Sequence, residues 1–110
     1  MKSYVARNSE ISFRDLGGGV CRRVLAYNPE IMAVEVAFET GAEGSVHTHP
    51  HTQISYVLSG KFSYSIDGEA VELNVGDSIC VPAGEKHGTV CLEKGVLLDM
   101  FAPMREDFLK

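Results

Sequence analysis

The sequence predicts an all-β fold, a small barrel whose strands carry metal-ligating side chains on their inner face. Three observations lead there. Turn-forming residues recur about every ten residues, the spacing of sandwiches and barrels. The runs between them alternate apolar and polar residues, as half-buried strands do. Histidines, a glutamine, glycines and a proline stand at Gly41-x5-His47-x-His49-x3-Gln53-x6-Gly60 and Gly76-x5-Pro82-x-Gly84-x2-His87. His47, His49 and Gln53 share parity, so an extended chain sends all three to one face. His87 is so far along that only a folded-back sheet or barrel brings it to them.

The elements follow in order. Residues 20–27 are β-branched and mixed, a strand expected near an edge where a second subunit could pair. Residues 31–39 alternate, with Met32, Val34, Val36 and Phe38 on one face and Ala33, Glu35, Ala37 and Glu39 on the other. Gly41 and Gly44 open a loop into the first histidine phrase. Strands are expected at 53–59 and 61–67, with Ser59-Gly60 between them read as a tight turn. Asp67-Gly68-Glu69 reads as the next hairpin turn, before residues 70–73. Strands at 77–81, 87–92 and 96–102 complete the set, and residues 104–109 form a single helical turn after Pro103. No repeat, linker or low-complexity segment divides the chain, so residues 1–110 are expected to form one domain.

Composition bounds the function. With 110 residues, 45% of them apolar, the chain can bury a real core but has no room for a second domain. No apolar run approaches the roughly 20 residues of a membrane helix. The opening MKSYVARNSE lacks an apolar signal core, so a cytoplasmic protein is expected. Cys21, Cys80 and Cys91 are odd in number and form no CxxC, which reads as reduced structural thiols. A net charge of −5 without a basic run makes nucleic acid and anionic membrane poor partners.

Imidazole nitrogens and an amide oxygen suit one borderline divalent metal ion: Zn, Ni, Fe, Co or Mn. His47, His49 and His87 are the candidate ligands, with Gln53 as a ligand or as a donor behind one. His51 has the parity of a ligand, but Pro50 bends the chain beside it, so a place at the rim is expected. Cys91 reads as a buried, inert thiol. In the tail, Asp99 and Phe101 share parity and can both face the barrel mouth, and Arg105 can bend back over it. Acid, aromatic wall and guanidinium are what a carboxylated sugar would require. On their own, Asp99 reads better as a turn acceptor and Arg105 as a surface charge. Which of Tyr4, Tyr27, Tyr56 and Tyr64 reaches the site depends on register.

The two histidine phrases resemble the motifs of the cupin superfamily, G-x5-H-x-H-x3,4-E-x6-G and G-x5-P-x-G-x2-H-x3-N. Gln53 stands for the usual Glu and Cys91 for the usual Asn. The resemblance implies a single cupin barrel (a double-stranded β-helix, or jelly roll) with a short C-terminal helical turn. It also implies a homodimer. A neutral Gln ligand leaves one more unit of positive charge at the metal than Glu does. That favours Lewis-acid work on an anionic substrate over redox cycling.

The segment His-Thr-His-Pro-His-Thr-Gln-Ile-Ser-Tyr-Val-Leu at 47–58 and the ending Asp-Met-Phe-Ala-Pro-Met-Arg-Glu-Asp-Phe-Leu at 99–109 are similar to KdgF-type pectin-degradation cupins. In that family three His and one Gln hold the metal, matching His47, His49, Gln53 and His87. The proposed catalytic and substrate residues match Asp99, Phe101 and Arg105. The resemblance implies an enzyme that linearises 4,5-unsaturated uronates from pectin or alginate to 5-keto-4-deoxyuronate, an isomerisation needing no organic cofactor. A metal-dependent dioxygenase, another sugar isomerase or epimerase, and a non-catalytic sugar-acid-binding cupin are the competing readings.

Overall fold

Met32, Val34 and Phe38, alternate residues of one run, are buried in the computed structural model of the protein, which describes residues 4–110. That run is β3 (Ile31–Phe38) of an all-β fold. The other strands are β1 (Arg14–Gly17), β2 (Val20–Asn28), β4 (Glu43–His47), β5 (Thr52–Ile66), β6 (Glu69–Leu73), β7 (Ser78–Val81) and β8 (His87–Ala102). All pairings are antiparallel, in the order β1-β2-β3-β8-β5-β6, with β4 paired to β8 and β7 to β5. Among the described residues, helical structure is confined to 3-10 turns. The expected C-terminal turn is one of them, at Glu106–Leu109.

Two expected boundaries are corrected. Ser59-Gly60 is not a hairpin turn, because β5 continues through it for 15 residues. Likewise the runs 87–92 and 96–102 are one strand, the 16-residue β8. The glycines have a different purpose. The β5–β8 register shifts around Ser59 and Lys61, where both strands bend. A Cβ built on Gly60 would lie 2.7 Å from the Gly95 Cα and closer still to the Glu93 carbonyl oxygen. Gly60 also has φ +80°, which a side chain rarely adopts. The true hairpin turn is Asp67-Gly68, with φ 49° and 83°. Both values are positive, as a two-residue turn matched to strand twist requires.

The edge expectation is corrected in part. β1 pairs with Val20, Cys21 and Arg22, so only the later half of β2 lacks a second neighbour strand among the described residues.

The core divides into two clusters. One joins Phe38, Val57, Phe62 and Leu97, with Phe38 and Phe62 meeting edge to face at 5.3 Å. The other joins Met32, Val34 and Phe101, and Met104 and Phe108 of the tail pack against it. Each such side chain removed from water contributes about 1.5–3 kcal/mol. The second cluster thereby anchors the tail beside the barrel.

Candidate metal and proton-transfer site

The histidine cluster is assembled from two strands and the bend between them. His47 ends β4 and His87 begins β8, where they are direct cross-strand partners. Their ring centroids are 4.4 Å apart. His49 lies in the loop after β4, which is tied to the Pro82–Gly84 bend. The Gly84 N–H donates to the His49 carbonyl at 2.9 Å, and the Thr48 hydroxyl donates to the Gly84 carbonyl at 2.9 Å. Gly84 has φ +84°, so the bend needs its glycine.

Hydrogen bonding fixes which ring nitrogen points inward. Nδ1 of His47 lies 2.6 Å from the Ser45 carbonyl, Nδ1 of His49 lies 3.0 Å from that of His51, and Nδ1 of His87 lies 3.0 Å from that of Glu85. A carbonyl only accepts, so each Nδ1 carries the proton and each Nε2 offers a lone pair. The candidate ligand atoms of His47, His49 and His87 all lie within 4.8 Å of one another, a separation that could hold a metal ion. His87 Nε2 is buried without a hydrogen-bond partner, which a buried polar atom rarely tolerates.

Gln53 strengthens the fit. Its side-chain nitrogen donates to the Ser55 hydroxyl at 3.0 Å and the Tyr64 hydroxyl at 3.2 Å, so its oxygen faces the histidines. That oxygen sits 2.9 Å from His49 Nε2. Two acceptors at this distance repel unless a proton or a cation lies with them. Burial lowers the pKa of His49 and of His87, which disfavours the proton. A shared cation satisfies both atoms at once.

Behind Gln53 runs a directed chain of hydroxyls. Ser55 and Asp99 are partners across β5 and β8, and Ser55 Oγ donates to Asp99 Oδ1 at 2.6 Å. Tyr64 lies 3.2 Å from Ser55 Oγ. Burial pushes the Tyr64 phenol well above its usual range, helped by the Asp99 charge, so it stays a protonated donor. Asp99 is buried, and burial pushes its carboxyl up to about 6, against hydrogen bonds from Ser55 and Gln53 and the charge of Arg105. A carboxyl tuned to that value exchanges its proton readily near neutrality.

The cluster opens into a cavity of about 270 Å³ lined by His47, Gln53, Tyr64, His87, Asp99, Phe101 and Arg105, together with Arg22 and Phe108. All three expected tail residues therefore reach it. Arg105 lies over the Phe101 ring at 5.1 Å and the Phe108 ring at 4.2 Å. His51 is half-buried at the rim, 5.3 Å from the His49 ring and 6.4 Å from that of Phe101. Cys91 is buried in the apolar core, and the three cysteines are unpaired. Of the tyrosines only Tyr64 reaches the site; Tyr4, Tyr27 and Tyr56 are exposed. Sequence reasoning missed Ser55, whose signal was its parity with Gln53, and Arg22, whose signal was a cation between Val20 and Val24.

A cupin domain family matches residues 34–101. The pectin degradation protein KdgF of Dickeya dadantii (strain 3937) is 41% identical over 104 residues, 93% of this chain and 94% of that protein. The chain belongs to the cupin family, alongside KdgF. Solved cupin structures agree over nearly the whole length. An RmlC-like cupin from Shewanella frigidimarina NCIMB 400 superposes with a TM-score of 0.92 at 45% identity, covering 96% of this chain and 95% of that one. KdgF from a Halomonas species gives 0.91 at 38% identity, covering 94% and 96%. His47 ends β4, Gln53 lies at the start of β5 and His87 begins β8. No helix among the described residues is long and apolar enough to cross a membrane.

Proposed function

We propose that this cupin is a metal-dependent enzyme that linearises 4,5-unsaturated uronates to 5-keto-4-deoxyuronates. The observation that carries the reading is one cavity holding a buried carboxyl beside three converging imidazoles and arginine charge. The Dickeya dadantii relative, named a pectin degradation protein, supports the substrate class. The cavity volume of about 270 Å³ sits at the low end of small-molecule sites, which suits a single sugar ring and not a polymer.

His47, His49, His87 and Gln53 would hold the metal, a divalent ion of Zn, Ni, Fe, Co or Mn. Bound there, it would supply Lewis-acid stabilisation of negative charge developing on an oxygen. The protein's own residues do the rest. Asp99, as carboxylate, takes the proton of the anomeric hydroxyl. The bond between the anomeric carbon and the ring oxygen breaks, the anomeric carbon becomes an aldehyde, and the electron pair stays on the ring oxygen as an enolate. Asp99 returns the proton to the neighbouring ring carbon, and the enolate becomes the ketone. Atoms and electrons balance with no oxidant. Ser55 holds the carboxylate in place, Phe101 walls the ring, and Arg105 supplies positive charge for the substrate carboxylate.

The test follows loss of the conjugated enol absorbance when metal-loaded protein meets fresh unsaturated galacturonate. Wild type should far exceed the buffer rate. Asp99→Asn, close to isosteric, should fall about 10²- to 10⁴-fold, the worth of one general acid–base group. No acceleration by wild type would remove the uronate reading, and oxygen uptake with iron alone would replace it with a dioxygenase.

The hydroxyl chain carries its own expectation. Ser55→Ala and Tyr64→Phe free the Gln53 amide to turn its nitrogen inward, so each should weaken metal affinity by about 10- to 100-fold. In a Gln53→Ala background the same changes should do almost nothing. Competition with a chromogenic chelator reads both. Equal losses in the two backgrounds would mean that Ser55 and Tyr64 act on the fold and not on Gln53.

A further inference from the structure

Arg22 stands where a β2 side chain should be apolar. Val20 packs against one core cluster and Val24 against the other, and Arg22 lies between them on the same face. Its cross-strand partner is Val36, which also lines the cavity. A guanidinium on an inward face needs a partner, because burying an unpaired charge is costly.

Its neighbours have partners. Arg23, on the outer face, meets Glu35 at 2.6 Å. Arg105 donates from Nε and one Nη to Asp107, at 3.1 Å and 2.9 Å. Among the described residues Arg22 has no acidic side chain within ion-pair distance. It is held by stacking alone, 3.7 Å from the centroid of Phe108, a ring that Arg105 also approaches at 4.2 Å. Burial, and then the charges of Arg14 and Arg105, oppose its protonated form. In a chain of net charge −5, the mouth of this one cavity gathers cations. Asp99 is the only acidic side chain lining the cavity.

We infer that Arg22 is an anion-binding residue of this site, and that it receives the carboxylate of the sugar acid. The inference rests on the uronate reading for its ligand class. Arg22 has five N–H donors and no acid to occupy them. Asp107 already takes the Nε edge of the Arg105 guanidinium and offsets its charge, so only the remaining edge of Arg105 is open to a second carboxylate. Arg22 therefore makes the selection between acidic and neutral sugars, and Arg105 adds charge beside it. Phe108 fixes the plane of the Arg22 guanidinium, so a carboxylate meets a preoriented fork at little entropic cost.

The experiment is calorimetric titration of metal-loaded protein with D-galacturonate, which is saturated and cannot react, with D-galactose, and with acetate. Wild type should bind galacturonate well and galactose poorly. Arg22→Met should weaken galacturonate at least about 10-fold, the worth of a charged hydrogen bond or more. It should leave galactose binding and metal affinity unchanged and should not lower Tm. Arg22→Lys should restore part of the loss, as a point charge without the fork. With unsaturated galacturonate, Arg22→Met should raise KM and alter kcat little. Galacturonate bound equally by Arg22→Met and wild type overturns the inference, as does wild type that binds neither acid. Acetate bound through Arg22 without galacturonate would keep Arg22 as an anion residue and remove the uronate reading.

Discussion

Stripped of its metal, the protein should turn over unsaturated galacturonate about 10³-fold more slowly, and His87→Ala should lose as much without a chelator. The size follows from what a Lewis acid contributes. Several kcal/mol of charge stabilisation is at stake, and each 1.36 kcal/mol is tenfold in rate. His87 is the most exacting position. Its Nε2 is buried and unpaired, and its Nδ1 is committed to the Glu85 carbonyl. Chelated wild type should regain its rate when the metal is restored, whereas His87→Ala should not. Loading should also raise the Tm of wild type, since a ligand bound only by the folded state stabilises it by mass action. Elemental analysis paired with the absorbance assay decides it. Full activity in protein verified to be free of metal would refute the metal-dependent reading while leaving the fold untouched.

Gly95→Ala should be among the most destabilising single changes in the chain, costing about 4 kcal/mol or more. A Cβ there would stand 2.7 Å from the Gly60 Cα and overlap the Ser59 carbonyl oxygen. Both are backbone atoms of β5, so no rotamer change relieves the clash. Ordinary overpacking costs about 1–3 kcal/mol because side chains can shift, and here they cannot. In a domain this small, about 1 kcal/mol moves Tm by roughly 4–8 °C, so a fall of about 15–30 °C is expected. Gly68→Asn is the control. Gly68 occupies a positive φ, which Gly95 does not, but its Cβ would meet nothing within 4 Å, and Asn tolerates that conformation. Thermal melts of the two variants should differ by more than about 10 °C. If they coincide, close approach at the bend is not what requires glycine.

Much of the site was legible because metal ligation constrains spacing. The parity of His47, His49 and Gln53 and the Pro82-x-Gly84 bend before His87 say where lone pairs can converge, whatever the rest of the chain does. The shared parity of Asp99 and Phe101 likewise placed both in the cavity. The bends in β5 and β8 were not legible. Ser59-Gly60 has the composition of a tight turn, and nothing local distinguishes a glycine that reverses the chain from one that lets two strands touch. The contact that decides it is with Gly95, far along the sequence. Arg22 was hidden for a related reason. Beside Arg23, it looks like one more solvated charge on a mixed strand, and only the pairing with Val36 turns it inward. Ser55 and Tyr64 carry small or common polar groups, and their alignment with Gln53 and Asp99 depends on the β5–β8 register.

The long, interrupted pairing of β5 with β8 has a consequence for how such a protein can change. Gln53, Ser55 and Tyr64 ride on one strand, and His87, Asp99 and Phe101 on the other, with the mutual bend at Gly60 and Gly95 lying between the two halves of each set. Inserting or deleting one residue in either strand would reverse the facing of half the site at a stroke. The tail is under no such restraint. Arg22 is held in register between β1 and β3, but Arg105 and Phe108 belong to a segment that packs on the barrel from outside the sheet. Reactivity and appetite are thus inscribed in separate parts of the molecule. The first is locked into the architecture, and part of the second rests on a segment outside the sheet.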